Sequence, residues 1–248
     1  MTNESIGSCN KSVVVGGSNG VGLAVALVLA KTGRVVIVDR VKPDAEVPSN
    51  VEFVCFDLLS DDYSLFDSLQ DVNKLVVTAG FGRLSLFQNV SEDELVRMMQ
   101  VNAVGVMRII RHYYAKLLCR EDFYCAVMGS IAGFMSSPFF AVYGASKAAL
   151  KIFIESLNVE LLKSGTTNRI LNVSPGSLKG TRFSGAENDL SFTLPFAEEL
   201  VGRMMKKEDL FIPHYEEIFK EVLARYAADF RTEGAHSYDY KLNSGRVK

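Results

Sequence analysis

Short runs of consecutive apolar residues alternate along this chain with longer segments in which apolar residues recur at helical spacing. The runs are rich in valine and isoleucine, and strands this apolar are typical of a sheet that is covered on both faces. We predict strands at Ser12–Val15, Arg34–Asp39, Val51–Phe56, Lys74–Thr78, Phe123–Gly129 and Arg169–Ser174.

The segments between these runs are far too long to be hairpin turns. Their periodicity predicts helices at Val21–Lys31, Ser91–Cys119 and Val142–Lys163. Strands that alternate with helices in this way predict an α/β fold with a parallel sheet, doubly wound by helices on both faces through right-handed crossovers.

The alternation loosens after Pro175. We predict a loop at Gly176–Leu194, a helix at Pro195–Lys207, a short strand at Leu210–Ile212 and a helix at Tyr215–Ala228. The polar stretch Asp229–Lys248 is predicted either to be disordered or to pack on a neighbour. Because the chain contains no repeat or linker, we expect one domain over 1–248, with a core at 12–181, a substrate loop and lid at 182–207, and a carboxyl-terminal strand, helix and tail at 208–248.

Composition narrows the functional classes. The 248 residues are 48% hydrophobic and 23% charged, and the formal net charge is -2. A chain of this length buries a core without metals or disulfides as staples. Its scattered basic residues argue against a nucleic-acid or anionic-membrane partner.

The start of the chain and the arrangement of its cysteines indicate the cellular compartment in which the protein works. The polar start lacks a secretory signal, and the apolar stretch Val21–Ala30 is too short to cross a bilayer, so we expect a cytoplasmic protein. Four cysteines form no CxxC pair. We expect unpaired and mostly buried thiols in a reducing compartment, the alternatives being a metal site or a disulfide framework. Three widely separated histidines lack metal-ligand spacing, so no metal is predicted.

A glycine-rich turn joins the first predicted strand to the first helix. Its sequence, with Gly16, Ser18, Asn19, Gly20, Val21 and Gly22, has the spacing G-xxx-G-x-G. Glycines there let the backbone approach a diphosphate, whose charge is met by free amides and the helix dipole. The alternative is a tight connection with no ligand.

The second predicted strand ends at Asp39, 17 residues after Gly22. A carboxylate at that place accepts both hydroxyls of an adenosine ribose and repels a 2′-phosphate, which favours NAD over NADP. Arg40 follows directly and is able to reach a phosphate, so NADP stays the alternative. Asp39 acting only as a turn cap is the structural alternative.

Tyr143 and Lys147 are four residues apart in a helical segment, which puts both side chains on one face. Ser130 ends the apolar strand Phe123–Gly129, where side chains meet the ligand crevice of a parallel sheet. Hydride transfer at a carbinol carbon also moves a proton at the oxygen, and a tyrosine of pKa near 10 is a weak base at neutral pH. A neighbouring ammonium favours the phenolate, and a serine hydroxyl orients the substrate oxygen.

The order of these motifs resembles the short-chain dehydrogenase/reductase family from about Ser12 to Thr181. The resemblance implies a Rossmann-type domain in which Tyr143 is the acid/base, Lys147 binds ribose and lowers the pKa of the tyrosine, and Ser130 orients the substrate. It also implies that Asn102 holds a water linked to the lysine. The cofactor contacts that it implies are adenine at Asp57 and Leu58, adenosine ribose at Ala79 and Gly80, and nicotinamide at Pro175 and Gly176.

The chain departs from the family pattern at several places. Val15 and Thr78 replace a threonine and an asparagine, and Gly180 displaces the threonine after Pro-Gly to Thr181. A helical carboxyl end replaces the usual final strand, which puts the common tetramer in doubt. By the same analogy we expect a homodimer, with a homotetramer as the alternative.

Two groups of apolar residues flank the predicted crevice. They either line a site for an apolar substrate or belong to core and lid packing, and they are Phe134, Met135, Phe139, Phe140, Phe183, Phe192, Leu194 and Phe196. The leading interpretation is an NAD-dependent oxidoreductase that acts on a small-molecule secondary alcohol or ketone. The alternatives are an NADP-dependent ketone reductase and a dinucleotide-binding regulatory protein without turnover.

Overall fold

A computed structural model describes residues 10–184, 187–245 and 247. Seven strands form one parallel sheet in the order β3-β2-β1-β4-β5-β6-β7. The strands are β1 Lys11–Val15, β2 Arg34–Asp39, β3 Val51–Cys55, β4 Lys74–Val77, β5 Tyr124–Met128, β6 Ile170–Val173 and β7 Leu210–Phe211. The predicted parallel sheet is therefore confirmed.

Alternate residues of each strand serve two hydrophobic cores. Val13 and Val15 of β1 face the core formed with the helices Gly105–Leu118 and Ala141–Ser164. Val14 faces the core formed with the helices Gly20–Ala30 and Leu190–Met205. Because successive side chains of a strand point to opposite faces, a strand buried on both sides must be apolar throughout. The predicted doubly wound α/β sheet with helices on both faces is therefore confirmed. Strands are added toward one edge of the sheet from β1 to β3 and toward the other edge from β4 onward, so the strand order changes direction between β1 and β4.

The helices are α1 Gly20–Ala30, α2 Leu65–Ser68, α3 Glu92–Met99, α4 Gly105–Leu118, α5 Ala141–Ser164, α6 Leu190–Met205, α7 Lys220–Ala228 and α8 Phe230–Asn243. The segment predicted as one helix at Ser91–Cys119 is divided by a π-helical turn at Gln100–Val104. One extra residue in that turn shifts the helical phase, and a periodicity argument does not detect it.

Two predicted boundaries near the carboxyl end are wrong. Helix α6 begins at Leu190, not at Pro195, because the Asp189 side chain accepts a hydrogen bond from the Ser191 backbone N–H and caps an earlier start. The tail after Ala228 forms α8, which Asp229 caps through the backbone N–H groups of Arg231 and Thr232. The predicted helical carboxyl end is thus confirmed and extends further than expected.

The cysteine prediction was partly wrong. Cys125 of β5 is buried, but Cys55, on the edge strand β3, and Cys119, at the end of α4, are exposed. Cys9 lies outside the described residues. Among the helices that the structure describes, we find none that combines the length and the apolar character needed to span a membrane.

Candidate active site

The glycine turn lies at the carboxyl end of β1, where the strand order reverses. Gly16 has φ of +82°, and a methyl group added to it would collide with the backbone nitrogen of Ala79. Glycine is therefore required there both for backbone conformation and for close approach. The turn is held by a hydrogen bond from the Gly16 N–H to the Val38 carbonyl, 2.8 Å long.

The start of α1 suits an anionic group. Asn19 is the N-cap residue, and its side chain makes no capping hydrogen bond with the described residues of the helix. The first turn contains no acidic residue. Backbone N–H groups and the helix dipole are therefore available to a diphosphate. Thr78 supports the turn from β4, because its hydroxyl lies 3.1 Å from the Val15 carbonyl oxygen and 3.0 Å from that of Gly16.

Asp39 ends β2 beside this turn. One carboxylate oxygen accepts the Ser18 N–H at 3.1 Å, and the other accepts the Arg40 N–H at 2.7 Å. Each oxygen keeps a lone pair for a ribose hydroxyl. Arg40 is exposed, and so is Asp57, whereas Leu58 is buried and its carbonyl accepts the Tyr63 hydroxyl.

Ser130 follows β5 and begins a short 3-10 turn at Ile131–Gly133. Its hydroxyl oxygen accepts the Ala132 N–H at 3.2 Å, which leaves the hydroxyl hydrogen available to another acceptor. The turn packs directly on α5, since a methyl group at Gly133 would lie 2.7 Å from the carbonyl carbon of Lys147. This packing brings Ser130 next to Tyr143.

Tyr143 is 8% exposed and is surrounded by aromatic rings. Its ring centroid lies 5.0 Å from that of Phe140 and 5.2 Å from that of Phe183, and its edge lies on Gly82. Burial raises the pKa of Tyr143 to about 12, and a hydrogen bond with the Ser130 side chain acts in the opposite direction.

Lys147 is 3% exposed and donates a 2.7 Å hydrogen bond to the Met128 carbonyl at the end of β5. Its Nζ lies 5.8 Å from the centroid of the Tyr143 ring. Burial lowers the pKa of Lys147 to about 8. Gly80 lies beside the same ammonium, because a methyl group there would be 3.4 Å from Nζ.

Asn102 lies in the π-helical turn and is fully buried. Its amide group donates to the Phe81 carbonyl at 2.7 Å and to the Ser146 hydroxyl at 3.2 Å, while its oxygen accepts the Phe81 N–H at 2.9 Å. Ser146 in turn donates to the Tyr143 carbonyl. The side chain thus joins the loop after β4 to the helix that carries Tyr143.

Pro175 and Gly176 follow β6 at the same edge of the sheet. The Pro175 carbonyl accepts the Ile131 N–H at 3.0 Å, so this loop adjoins the Ser130 turn. Gly176 lies under the ring of Phe219, whose Cζ would be 2.7 Å from an added methyl group. At the displaced threonine position, Thr181 donates its hydroxyl to the Leu178 carbonyl at 3.0 Å.

The structure divides the predicted aromatic groups. Phe140 and Phe183 contact Tyr143, and Phe139 packs on Tyr238 of α8. Phe196 instead stacks on Phe211 in the core, and Phe192 is exposed. Sequence reasoning missed Gly82, Ser146 and Phe219; Ser146 had a detectable signal, because it directly precedes Lys147 on the helix of the Tyr-Lys pair.

Comparisons with known proteins show the family and the fold to which the chain is similar. A family model described as short chain dehydrogenase matches residues 10–190. An uncharacterised short-chain type dehydrogenase/reductase of Sinorhizobium fredii is 30% identical over 175 residues, which cover 68% of this chain and 69% of the relative. Human 17-beta-hydroxysteroid dehydrogenase type 1 is 36% identical over 104 residues, 42% of this chain and 32% of that protein.

A solved structure shares the fold over nearly the whole chain. It is a short chain dehydrogenase from Burkholderia cenocepacia in complex with NADP, which superposes with a TM-score of 0.74 at 21% identity and covers 92% of this chain and 96% of its own. The family model spans most of the sequence. The chain therefore belongs to the short-chain dehydrogenase/reductase family.

Proposed function

We propose that this protein is an oxidoreductase that moves a hydride between NAD and a secondary alcohol or ketone. The observation that carries the proposal is the convergence of Ser130, Tyr143 and Lys147 at the edge of the sheet that also holds the glycine turn. Ligands of doubly wound sheets bind in the crevice at this edge. A nicotinamide cofactor would supply the hydride acceptor or donor there.

The chain's own residues move the proton. In alcohol oxidation, the Tyr143 phenolate takes the hydroxyl proton of the substrate, and in ketone reduction the phenol returns it. When a substrate binds, Ser130 donates its hydroxyl hydrogen to the substrate oxygen in place of its bond with Tyr143, while its own oxygen still accepts the Ala132 N–H. That bond orients the oxygen toward Tyr143.

Lys147 supplies the electrostatic support. Burial alone keeps Tyr143 protonated at neutral pH, since it raises the pKa of the phenol to about 12. A positive charge nearby favours the phenolate, and the Lys147 ammonium is the cation on the same helix face. Alcohol oxidation is therefore expected to speed up as pH rises toward about 8, the range in which Lys147 keeps its charge and a growing fraction of the phenol ionises.

The preference for NAD rests on Asp39. Its carboxylate lies at the end of β2 beside the glycine turn, where it suits ribose hydroxyls and repels a 2′-phosphate. The alternative is an NADP-dependent reductase, supported by exposed Arg40 and by the NADP complex of the Burkholderia cenocepacia protein. We further propose that Asp57 and Leu58 contact adenine, and that Ala79 and Gly80 contact its ribose.

An apolar substrate is the second part of the proposal. Phe140 and Phe183 lie against Tyr143, so a substrate oxygen that reaches the phenol has aromatic surface around it. The similarity to 17-beta-hydroxysteroid dehydrogenase, whose name implies an apolar substrate, points the same way.

We also propose that the chain forms one domain and works in a reducing compartment such as the cytoplasm, which the free thiols of Cys55 and Cys119 favour.

The Tyr143→Phe variant tests the proposal, because it removes one oxygen and keeps the ring packing. We expect kcat for alcohol oxidation to fall by about two to four orders of magnitude while the Kd for NADH stays within about twofold. Tyr124→Phe, which removes a tyrosine hydroxyl at the amino end of β5, is the matched control. Wild-type turnover by the Tyr143→Phe protein would refute the mechanism, and tight NAD binding without turnover of any alcohol or ketone would favour the regulatory alternative.

A further inference from the structure

The carboxyl-terminal arm consists of residues Tyr215–Asn243, which form a π-helical turn, α7 and α8. The structure describes all of α7, and no residue of it is buried. The two helices are joined instead by an ion pair between Arg225 and Glu233, 2.7 Å long. Packing against the core of the sheet is therefore not what holds α7 in place.

One end of the arm lies on Pro175-Gly176. His214 adopts a left-handed conformation with φ of +56°, and the π-helical turn that follows ends at Phe219. The tip of the Phe219 ring occupies the space that a side chain at Gly176 would need. Single π-helical turns cost stability and are often retained at functional sites.

Phe219 is close to the reacting groups through a short series of contacts. It touches Gly176, the carbonyl of Pro175 binds the Ile131 N–H, and Ile131 follows Ser130 directly. The Phe219 ring is therefore linked to the Ser130 turn through the Pro175-Gly176 loop.

The other end of the arm lies on the segment that directly precedes α5. The Tyr238 ring packs on Phe139 with centroids 4.4 Å apart, and Lys241 donates to the Ser137 hydroxyl at 2.7 Å and the Pro138 carbonyl at 3.0 Å. Phe140, next in the chain, contacts Tyr143. The arm thus contacts both the Pro175-Gly176 loop and the segment before α5 that leads to Tyr143.

From this arrangement we propose that Phe219 is a specificity-determining residue, which limits the bulk of the substrate at the Gly176 side of the crevice. The inference rests on the proposed function, because it assigns the wall of the same site. The Phe219 ring is the apolar group of the π-helical turn that contacts Gly176. Shortening it to alanine is therefore expected to enlarge the site and to leave Ser130, Tyr143 and Lys147 unchanged.

The test compares alcohols of increasing bulk: 2-butanol, cyclohexanol and 1-tetralol, each oxidised with NAD. We expect Phe219→Ala to raise the ratio of kcat/KM for 1-tetralol to that for 2-butanol at least about tenfold, and Phe219→Trp to lower it. Binding of 1-tetralone to the NADH-loaded protein is measured by NADH fluorescence in the Tyr143→Phe background, where the ketone is not reduced, and is expected to tighten when Phe219→Ala is added. Tyr240→Ala, on an exposed ring of the same arm, is the matched control and is expected to change neither quantity.

The outcomes separate this inference from the proposed function. If the wild type oxidises the alcohols but Phe219→Ala leaves both the ratio and ketone binding within twofold, the specificity role is wrong and the function stands. If no alcohol is turned over but Phe219→Ala tightens ketone binding, the function is wrong and the wall assignment stands. A loss of NADH affinity as large as the ketone effect, or no ketone binding by any of the proteins, also overturns the inference.

Discussion

Lys147 is the residue at which stability and chemistry conflict most clearly. Its side chain is buried, and its ammonium has a single close hydrogen-bond acceptor among those identified, the Met128 carbonyl. Burial lowers the pKa from an ordinary value of 10.5 to about 8, which corresponds to a cost of roughly 3 kcal/mol for the charged form. Buried titratable groups of this kind are common at functional sites.

We therefore predict that Lys147→Met stabilises the fold while it abolishes turnover. At pH 7 the free energy of unfolding is expected to rise by about 2 kcal/mol, since the lost bond to Met128 offsets part of the relief. The folded lysine loses its proton near pH 8 and the unfolded one near 10.5, so wild-type stability rises with pH across that window and the difference disappears above it. Urea unfolding at pH 7 and 10.5 measures this.

The control for this variant is Lys151→Met, one turn further along α5. Lys151 forms an ion pair with Glu155 at 2.9 Å near the surface, where such pairs contribute little. Its unfolding free energy is expected to stay within about 1 kcal/mol of wild type at either pH. A Lys147→Met protein that is less stable than wild type at pH 7 would show that the ammonium is better solvated than its burial indicates.

Asp39 supports a separate prediction about the cofactor. We expect NADH to bind at least tenfold more tightly than NADPH, about 1.4 kcal/mol, and Asp39→Ser to remove most of that difference. Fluorescence titration of both reduced cofactors measures it. Glu52→Gln, on the neighbouring strand β3, is the matched control. Equal affinities in the wild type, or a preference for NADPH through Arg40, would contradict the NAD assignment.

At the scale of elements, the π-helical turn between α3 and α4 is the feature that most directly supports the site. Asn102 satisfies both the N–H and the C=O of Phe81 and thereby fixes the loop that continues to Gly82, on which the Tyr143 ring lies. A buried backbone group that loses its partner destabilises a protein by about 1–3 kcal/mol. The turn therefore links fold stability to the position of the phenol.

Asn102→Ala tests this coupling. We predict a loss of about 2 kcal/mol in the free energy of unfolding, together with at least a tenfold lower kcat and a displaced pH profile for alcohol oxidation. Gln100→Ala, in the same turn, is the control and is expected to leave both quantities near wild type. If Asn102→Ala loses stability but keeps the wild-type pH profile, its role is confined to folding.

The elements differ in how well the sequence predicts them. Strands such as Val35–Val38 and Leu75–Val77 are predictable because burial on both faces requires an unbroken apolar run. Helix α8 is not, because its sequence is mostly polar and the helix depends on a cap at Asp229 and on the ion pair between Arg225 and Glu233. The spacing of Tyr143 and Lys147 and the strand end at Ser130 are enough to predict these three as site residues. Gly82 and Phe219 are recognisable only from contacts between distant segments.

At the scale of the whole molecule, one face of the helical layer remains apolar and exposed. Val104 and Leu118 flank α4, and Ile152, Val159 and Leu162 follow one side of α5 at intervals of seven and three residues. Such spacing places them on one stripe. Several exposed apolar side chains along one face of two neighbouring helices favour a protein interface.

We propose that this face forms the homodimer predicted from the sequence, by two-fold pairing of α4 and α5 with their counterparts. A two-fold contact brings each stripe against its own copy, so one substitution alters the interface twice. Val159→Glu is therefore expected to convert a dimer into a monomer at micromolar concentration in sedimentation velocity, with its thermal unfolding otherwise cooperative. Leu242→Glu, at an exposed apolar position of the carboxyl-terminal arm, is the control and is expected to remain dimeric. A wild-type monomer under these conditions would contradict the dimer, and dissociation by Leu242→Glu alone would move the interface to the arm.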